Sequence, residues 1–160
     1  IAEPAICKWL SSQAIAAGEA NGRDMSNYRI MAAAPAFFGD MDACREATRW
    51  FPAMVGNHVA DIVEKYGTDR EDIPPSLTAY VKDRKGYDYS KHGQSDNPYL
   101  DFITDDIIDG FAVLGTPDDH IAKLKVLEEV GITQFNIYLD NGDEENIIAE
   151  YGRTVIPAMR

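Results

Sequence analysis

The chain has 160 residues and a formal net charge of −12, from 27 acidic and 15 basic side chains. Such a charge repels phosphate backbones and anionic membrane surfaces, so binding to nucleic acid or to a membrane surface is not expected. No run of about 18 apolar residues predicts a membrane span, and two separated cysteines, Cys7 and Cys44, indicate a reducing, cytoplasmic setting.

The N-terminal part of the chain combines a helical pattern with a strand pattern. A helix is predicted over residues 3–20, where Pro4 fits the first turn. Residues 28–34 (YRIMAAA) are short and apolar, with one charge, which is typical of a parallel strand covered on both faces. Pro35 is expected to end this strand because it has no N–H to donate to a neighbour.

The middle of the chain contains a helix and then an irregular segment. A long helix is predicted from Asp40, with a kink at Pro52. Residues 67–103 interrupt the alternation: a short helix is predicted from about residue 74, and an aromatic segment without any period follows. A segment this long inside a compact domain is usually functional, and its aromatic residues argue against disorder.

The clearest local signals lie in residues 104–139. Thr116 is predicted to cap a helix that ends at Gly131, and His120 is expected to be solvated at the start of this helix. A strand with alternating apolar residues is predicted over residues 133–139. A last helix is expected to stop before Pro157.

The predicted order is helix, strand, helix, insertion, helix, strand and helix, which indicates an α/β fold with parallel strands. Two strands alone would leave their backbone edges unpaired. We therefore expect residues 1–160 to form a single partial domain of a larger α/β protein whose other strands lie upstream. Residues 67–103 would be an insertion in this domain.

Four segments of the sequence carry a resemblance to a known family. They are AAAPAFFG, RWFPAMVGNHVADIVEKYG, GYDYSKHG and FAVLGTPDDHIAKLKVLEEVGITQFNIYL. Together they resemble the C-terminal half of the luciferase-like family of flavin- or deazaflavin-dependent oxidoreductases and monooxygenases. The WFPAMVGNHVADIV run is distinctive, whereas a capped helix followed by a strand occurs in many α/β barrels.

The resemblance implies a (β/α)8 TIM barrel, with residues 28–34 as its seventh strand and residues 133–139 as its eighth. Residues 67–103 would then cover the barrel mouth. It also implies an FMN or deazaflavin (coenzyme F-420) cofactor, a small organic substrate and a homodimeric full-length protein. The main phosphate-binding positions of the family would precede residue 1, and the fragment alone would be inactive.

Candidate site residues follow from the position of each segment in such a barrel, where the loops after the strands carry the chemistry. We expect an apolar wall beside the cofactor ring and polar groups on the second helix and on the insertion. The cofactor candidates are Pro35, Ala36, Phe37 and Asn57. The catalytic candidates are His58 and His92, and the substrate candidates are Tyr87, Tyr89 and Tyr138; no metal site is predicted.

Each of these assignments has a structural alternative. Phe37 could be a core residue, and a histidine on an apolar stripe, such as His58, is more often hydrogen-bonded within the core than catalytic. The insertion tyrosines could attach the loop to the barrel instead of contacting substrate. For the whole chain, the alternative is a non-catalytic α/β module that folds alone and binds a small ligand or a protein.

Overall fold

The computed structural model describes residues 1–66, 73–83, 90, 100, 102–139 and 142–160. Helices separate the strands along the described part of the chain, as in an α/β fold, with four consecutive helices between the first two strands. The elements, in chain order, are α1 (Pro4–Ala20), β1 (Met31–Phe38), α2 (Met41–Thr48), α3 (Trp50–Tyr66), α4 (Pro75–Asp83), α5 (Asp105–Phe111), β2 (Val113–Gly115), α6 (Pro117–Glu129), β3 (Gln134–Tyr138), α7 (Glu144–Glu150), a π-helical turn (Tyr151–Val155) and α8 (Ile156–Ala158).

The three strands form one parallel sheet in the order β2-β1-β3. The expected parallel pairing of the two predicted strands is confirmed, since Ala34 of β1 pairs with Ile137 of β3. The third strand, β2, was not predicted, and it pairs with the end of β1 at Phe37. The order in the sheet thus differs from the order in the chain, because β1 lies in the middle.

The prediction that Pro35 ends the first strand is wrong. β1 runs through Pro35 to Phe38, so Pro35, Ala36 and Phe37 belong to the strand and not to the loop after it. The reason lies in the pairing: residues 31–35 pair with β3, whereas residues 36–38 pair with β2. The missing N–H of proline therefore falls where the strand changes partners, and there it disrupts neither ladder.

The long helix predicted from Asp40, with its kink at Pro52, is instead two helices that are interrupted at Arg49, three residues before Pro52. α2 ends at Thr48 and α3 begins at Trp50, so that Pro52 is the third residue of α3. The first four N–H groups of a helix have no partner within the helix. Pro52 consequently costs no intrahelical hydrogen bond at this position.

An ion pair with two contacts joins α2 to α5. Like β2, the helix α5 was not predicted from the sequence. Nε and Nη2 of Arg45 donate to the two carboxylate oxygens of Asp109 at 2.9 and 2.7 Å. Both side chains are partly exposed, at 24% and 34%. Such a planar arrangement fixes orientation more firmly than a single contact, and it ties the start of the β2 segment to the helix that follows β1.

The N-terminus of α6 contains the predicted cap. The Thr116 hydroxyl accepts a hydrogen bond from Asp119 N–H at 3.3 Å, and the Asp119 carboxylate accepts one from Thr116 N–H at 2.8 Å. This reciprocal pair is a capping box. The predicted end of the helix is also confirmed, since Gly131 has a positive φ and follows the C-terminal residues of α6.

Removal of the cap provides a first test of this local structure. Thr116→Ala is expected to lower the free energy of unfolding by about 1 kcal/mol, because one N–H loses its acceptor. Thr116→Ser keeps the hydroxyl and is the matched control, with a change below about 0.5 kcal/mol. Urea denaturation of the two variants and the parent chain measures both values, and an equal loss in both would contradict the capping role.

The last helix does not stop before Pro157, as we expected, but widens into the π-helical turn. Ile156 N–H donates to the carbonyl of Tyr151, five residues earlier, instead of to the residue four positions back. This change of register lets helical backbone continue through Pro157 to Ala158. The turn also places Tyr151 and Val155 in the buried layer.

The sheet has a different environment on each face, because successive side chains of a strand point to opposite sides. On one face, Phe38 stacks on a side chain of α6, and Phe135 lines an apolar groove of about 830 Å³ together with Leu127 and Val155. On the other face, Tyr138 contacts Phe51 of α3. Among the described residues, no helix combines the length and the hydropathy of a membrane span.

Candidate active site

The carboxyl ends of the three parallel strands lie at one edge of the sheet. The last residues of the strands are Phe38, Gly115 and Tyr138. The Gly39 N–H donates to the Gly115 carbonyl at 3.2 Å and so joins the ends of β1 and β2. In parallel α/β sheets, ligands bind outside this edge. We refer to residues 35–38 of β1, 114–115 of β2 and 137–138 of β3 as the carboxyl edge.

Three of the predicted site residues come together at the carboxyl edge. Pro35 is fully buried and is the register partner of Tyr138. Phe37, two residues further along β1, lies on the same face of the sheet and is 9% exposed. The Tyr138 ring is 41% exposed, and its centroid lies 5.5 Å from that of Phe51. These residues form an apolar, aromatic face that is open at the tyrosine.

The other predicted site residues that the structure describes do not lie on the face formed by Pro35, Phe37 and Tyr138. Ala36 is buried on the opposite face of the sheet, so it does not extend the Pro35–Phe37 surface. On α3, Asn57 is 3% exposed, whereas its neighbour His58 is exposed. His58 was expected on the buried apolar stripe of this helix, and its exposed side chain contradicts that expectation. Tyr87, Tyr89 and His92 lie outside the described residues, and their roles stay predictions.

The prediction that His120 is solvated is wrong, because this side chain is fully buried. Its Nε2 lies 3.0 Å from the Phe37 carbonyl oxygen, and its Nδ1 lies 3.1 Å from the Tyr151 hydroxyl. Its ring stacks on Phe38, with centroids 4.0 Å apart and planes 16° apart. A signal was present in the sequence: position 120 precedes Leu124 and Leu127 at the spacing of one helical face.

The partners of His120 determine its proton positions. A backbone carbonyl can only accept, so Nε2 carries the proton and donates to Phe37. Nδ1 is then an acceptor, and the Tyr151 hydroxyl donates to it. Burial lowers the pKa of His120 despite the opposing influence of the Phe37 carbonyl and the Asp119 carboxylate. Burial also raises the pKa of Tyr151, so both groups stay neutral near pH 7.

The buried histidine makes stability depend on pH. Below about pH 6.5 the unfolded chain binds a proton at His120, whereas the folded chain, with its lowered pKa, does not. The free energy of unfolding should therefore fall by about 1 kcal/mol from this residue between pH 7 and 5.5. Urea denaturation across this range gives the free energy of unfolding at each pH. This free energy should change less with pH in His120→Gln than in the parent chain, and an equal dependence on pH in both would contradict the prediction.

A cysteine thiol completes the environment of the Phe37 carbonyl. Cys44 Sγ of α2 donates to this oxygen at 3.8 Å, and Cys44 is 4% exposed. Burial raises the pKa of the Cys44 thiol, so it stays protonated. No group of three or more metal-ligating side chains is present within the part of the chain that the structure describes. The carboxyl edge therefore offers an aromatic face held by neutral hydrogen bonds.

Comparison with known proteins shows which protein family the sequence matches. The family model of luciferase-like monooxygenases matches residues 1–134. Two curated relatives, the 5,10-methylenetetrahydromethanopterin reductases of Archaeoglobus fulgidus and Methanopyrus kandleri, are 27% and 28% identical over 123 residues. The alignments cover 76% of this chain but 35% and 32% of those proteins, so the chain matches about a third of their length.

A solved structure shows the same fold. The coenzyme F-420 dependent tetrahydromethanopterin reductase of Methanopyrus kandleri superposes with a TM-score of 0.65 and 22% sequence identity. The superposition covers 99% of this chain and 44% of that chain. The arrangement of helices around the parallel sheet is thus shared over essentially all of the sequence.

Proposed function

Because the chain belongs to the luciferase-like monooxygenase family, we propose that it is part of an oxidoreductase that binds a deazaflavin, coenzyme F-420, and reduces a small organic substrate. The two curated relatives are reductases by name, and the solved structure of similar fold is named as dependent on coenzyme F-420. These names favour a deazaflavin over FMN and reduction over oxygenation.

The observation that carries this proposal is the aromatic face at the carboxyl edge. A flavin-type ring is planar and largely apolar, and its site needs extensive apolar contact with few polar groups. Pro35 and Phe37 offer a buried apolar surface, and Tyr138 beside them adds an exposed ring with a hydroxyl. The residues present therefore fit one side of such a ring.

The bound cofactor would supply hydride chemistry, and the chain would supply binding and orientation. Pro35 and Phe37, which are buried, would form the apolar floor beneath the ring, and the exposed Tyr138 side chain would contact the ring or the substrate. The neutral state of His120 and Tyr151 makes them unsuited to donate a proton near pH 7. Any proton transfer would belong to other groups, for which His92 and His58 remain the candidates.

We further propose that β1 and β3 are closing strands of a (β/α)8 barrel in the complete protein. Their parallel pairing and the superposition on a much longer reductase support this architecture. In such a barrel the face with Phe37 and Tyr138 would point inward, and α6 would lie outside. Activity is then a property of the complete protein; the fragment alone would be inactive. Homodimerisation and the cytoplasmic setting stay predictions.

A cofactor titration tests the proposed function. Full-length protein that contains this chain is titrated separately with coenzyme F-420 and with FMN, and binding is followed by fluorescence. We expect a Kd of about 1 µM or below for the deazaflavin and at least roughly tenfold weaker binding of FMN. Absence of deazaflavin binding at about 100 µM would contradict the proposal.

A reductase assay tests the chemistry. Reduced coenzyme F-420 is mixed with the full-length protein and 5,10-methylenetetrahydromethanopterin, the compound in the names of the relatives. Substrate-dependent oxidation of the deazaflavin is expected, and the same assay with other small imines and carbonyl compounds defines the substrate class. Oxidation that requires both oxygen and the substrate, with one oxygen atom entering the product, would indicate a monooxygenase.

A further inference from the structure

We propose that His120 and Tyr151 are positioning residues that hold the Phe37 peptide, and with it the Phe37 ring, in the orientation that contacts the deazaflavin. This inference rests on the proposed function and adds two residues that lie outside the predicted binding surface. They act through the backbone of β1 and need no contact with the cofactor themselves.

The first argument is that the Phe37–Phe38 peptide is held at both ends. The Phe37 carbonyl accepts the Nε2–H of His120 at 3.0 Å, and the Phe38 ring stacks on the same imidazole at 4.0 Å. The Tyr151 ring packs on Phe38 as well, with centroids 5.6 Å apart. Since Phe37 and Phe38 point to opposite faces, holding Phe38 in the helical layer holds Phe37 on the face of the carboxyl edge.

The second argument is the chemical identity of the buried residue. Position 120 lies on the apolar stripe of α6, where leucine would fill the space without the cost of burying two ring nitrogens. The histidine instead uses each nitrogen in a directed hydrogen bond. A fully paired buried polar group restricts the geometry of its partners, and here the partner is the strand end at the proposed site.

The third argument is the π-helical turn. An α-helix has no room for the extra residue that a π turn accommodates, and such turns occur frequently at functional sites. This turn begins at Tyr151, whose hydroxyl donates to His120 Nδ1. The widened backbone therefore begins at the residue that fixes the imidazole.

Three variants of the full-length protein test the proposal, with coenzyme F-420 affinity as the readout. His120→Leu removes both hydrogen bonds and should raise the Kd by at least about tenfold, and Tyr151→Phe removes one hydroxyl and should raise it by about threefold. His120→Gln keeps a donor for Phe37 and an acceptor for Tyr151, so binding should return to within about threefold of the parent. Tyr28→Phe, a partly exposed tyrosine away from the site, is the matched control and should bind as the parent does.

A second readout reports the geometry without the cofactor. Nitrogen-15 NMR of the histidine rings should show His120 as the neutral tautomer with the proton on Nε2, and Tyr151→Phe should shift the Nδ1 resonance while Nε2 stays protonated. A proton on Nδ1 in the parent protein would overturn the assignment of donor and acceptor.

The outcomes separate this inference from the proposed function. If the parent protein binds no deazaflavin, the proposed function fails and the positioning role fails with it. The other outcome is that the parent binds the deazaflavin and that Tyr151→Phe and His120→Leu bind it with the same Kd as the parent, while only their melting temperatures fall. In that case the two residues are structural, and this inference alone is wrong. Should His120→Leu fail to fold, Tyr151→Phe decides, because weaker binding of the deazaflavin supports the positioning role and unchanged binding contradicts it.

Discussion

Replacement of Gly115 with alanine is expected to lower the free energy of unfolding by about 2–4 kcal/mol. Gly115 ends β2 with φ +109°, a conformation that side chains with a Cβ rarely adopt. An added Cβ would also lie 2.7 Å from Oδ2 of Asp119. That oxygen accepts the Thr116 N–H and the Thr116 hydroxyl at 2.8 and 2.6 Å, so the carboxylate can move only by breaking the capping box.

Gly131 provides the control, because it isolates the conformational cost. It has φ +97°, and no atom of the described residues lies within 4 Å of its would-be Cβ. Gly131→Ala should cost about 1–2 kcal/mol from the backbone alone. Urea denaturation of both variants gives the difference that belongs to the Asp119 contact. An equal decrease in the free energy of unfolding in both variants would show that the Asp119 carboxylate moves away without cost. The destabilisation at Gly115 would then come from the backbone conformation alone.

The parts of the fold that sequence reasoning predicted are those that local chemistry determines. The cap at Thr116, the end of α6 near Gly131 and the strand after it depend on residues within a few positions of one another. Hydrogen-bonding groups for these features are supplied by the same short segment. Their prediction therefore required no knowledge of how the rest of the chain packs.

The boundaries of β1 and the existence of β2 depend instead on distant residues. β2 has three residues, too few to show a period, and it is a strand because Val113 and Leu114 pair with the end of β1. The same pairing carries β1 beyond Pro35. The rule that a strand ends at proline assumes that the strand is hydrogen-bonded to the same neighbour along its whole length. The rule failed here because β1 changes its neighbouring strand after Pro35.

Prediction of the candidate site was limited for the same reason. Pro35 and Phe37 were identified from the loop expected after the first strand, and Tyr138 from the second predicted strand; the sheet brings them together. His120 was assigned to solvent because histidine at the start of a helix is usually hydrated. Its partners, Phe37 and Tyr151, come from β1 and from a π turn that no pattern in the last helix predicted.

Replacement of Phe37 with alanine should weaken coenzyme F-420 binding to the full-length protein by about 10- to 100-fold. Phe37 is already buried in the folded chain, so the loss arises because the shortened side chain no longer supports the surface on which the cofactor would lie. A tenfold to hundredfold change in Kd corresponds to about 1.4–2.7 kcal/mol of binding free energy. Within the proposed site, Phe37 is the largest buried group on the face of β1 that Tyr138 shares.

Phe135→Ala is the matched control for this prediction. Phe135 belongs to the same sheet, but it lies on the opposite face, where it lines the groove beside α6. Both substitutions remove one phenyl ring and should destabilise the sheet, so affinities are compared at a temperature well below both melting transitions. We expect Phe135→Ala to change the Kd by less than about threefold, since its ring lies away from the site. Equal loss of affinity in both variants would mean that binding follows the stability of the sheet, and the cofactor would then have to lie elsewhere than on the Phe37 face.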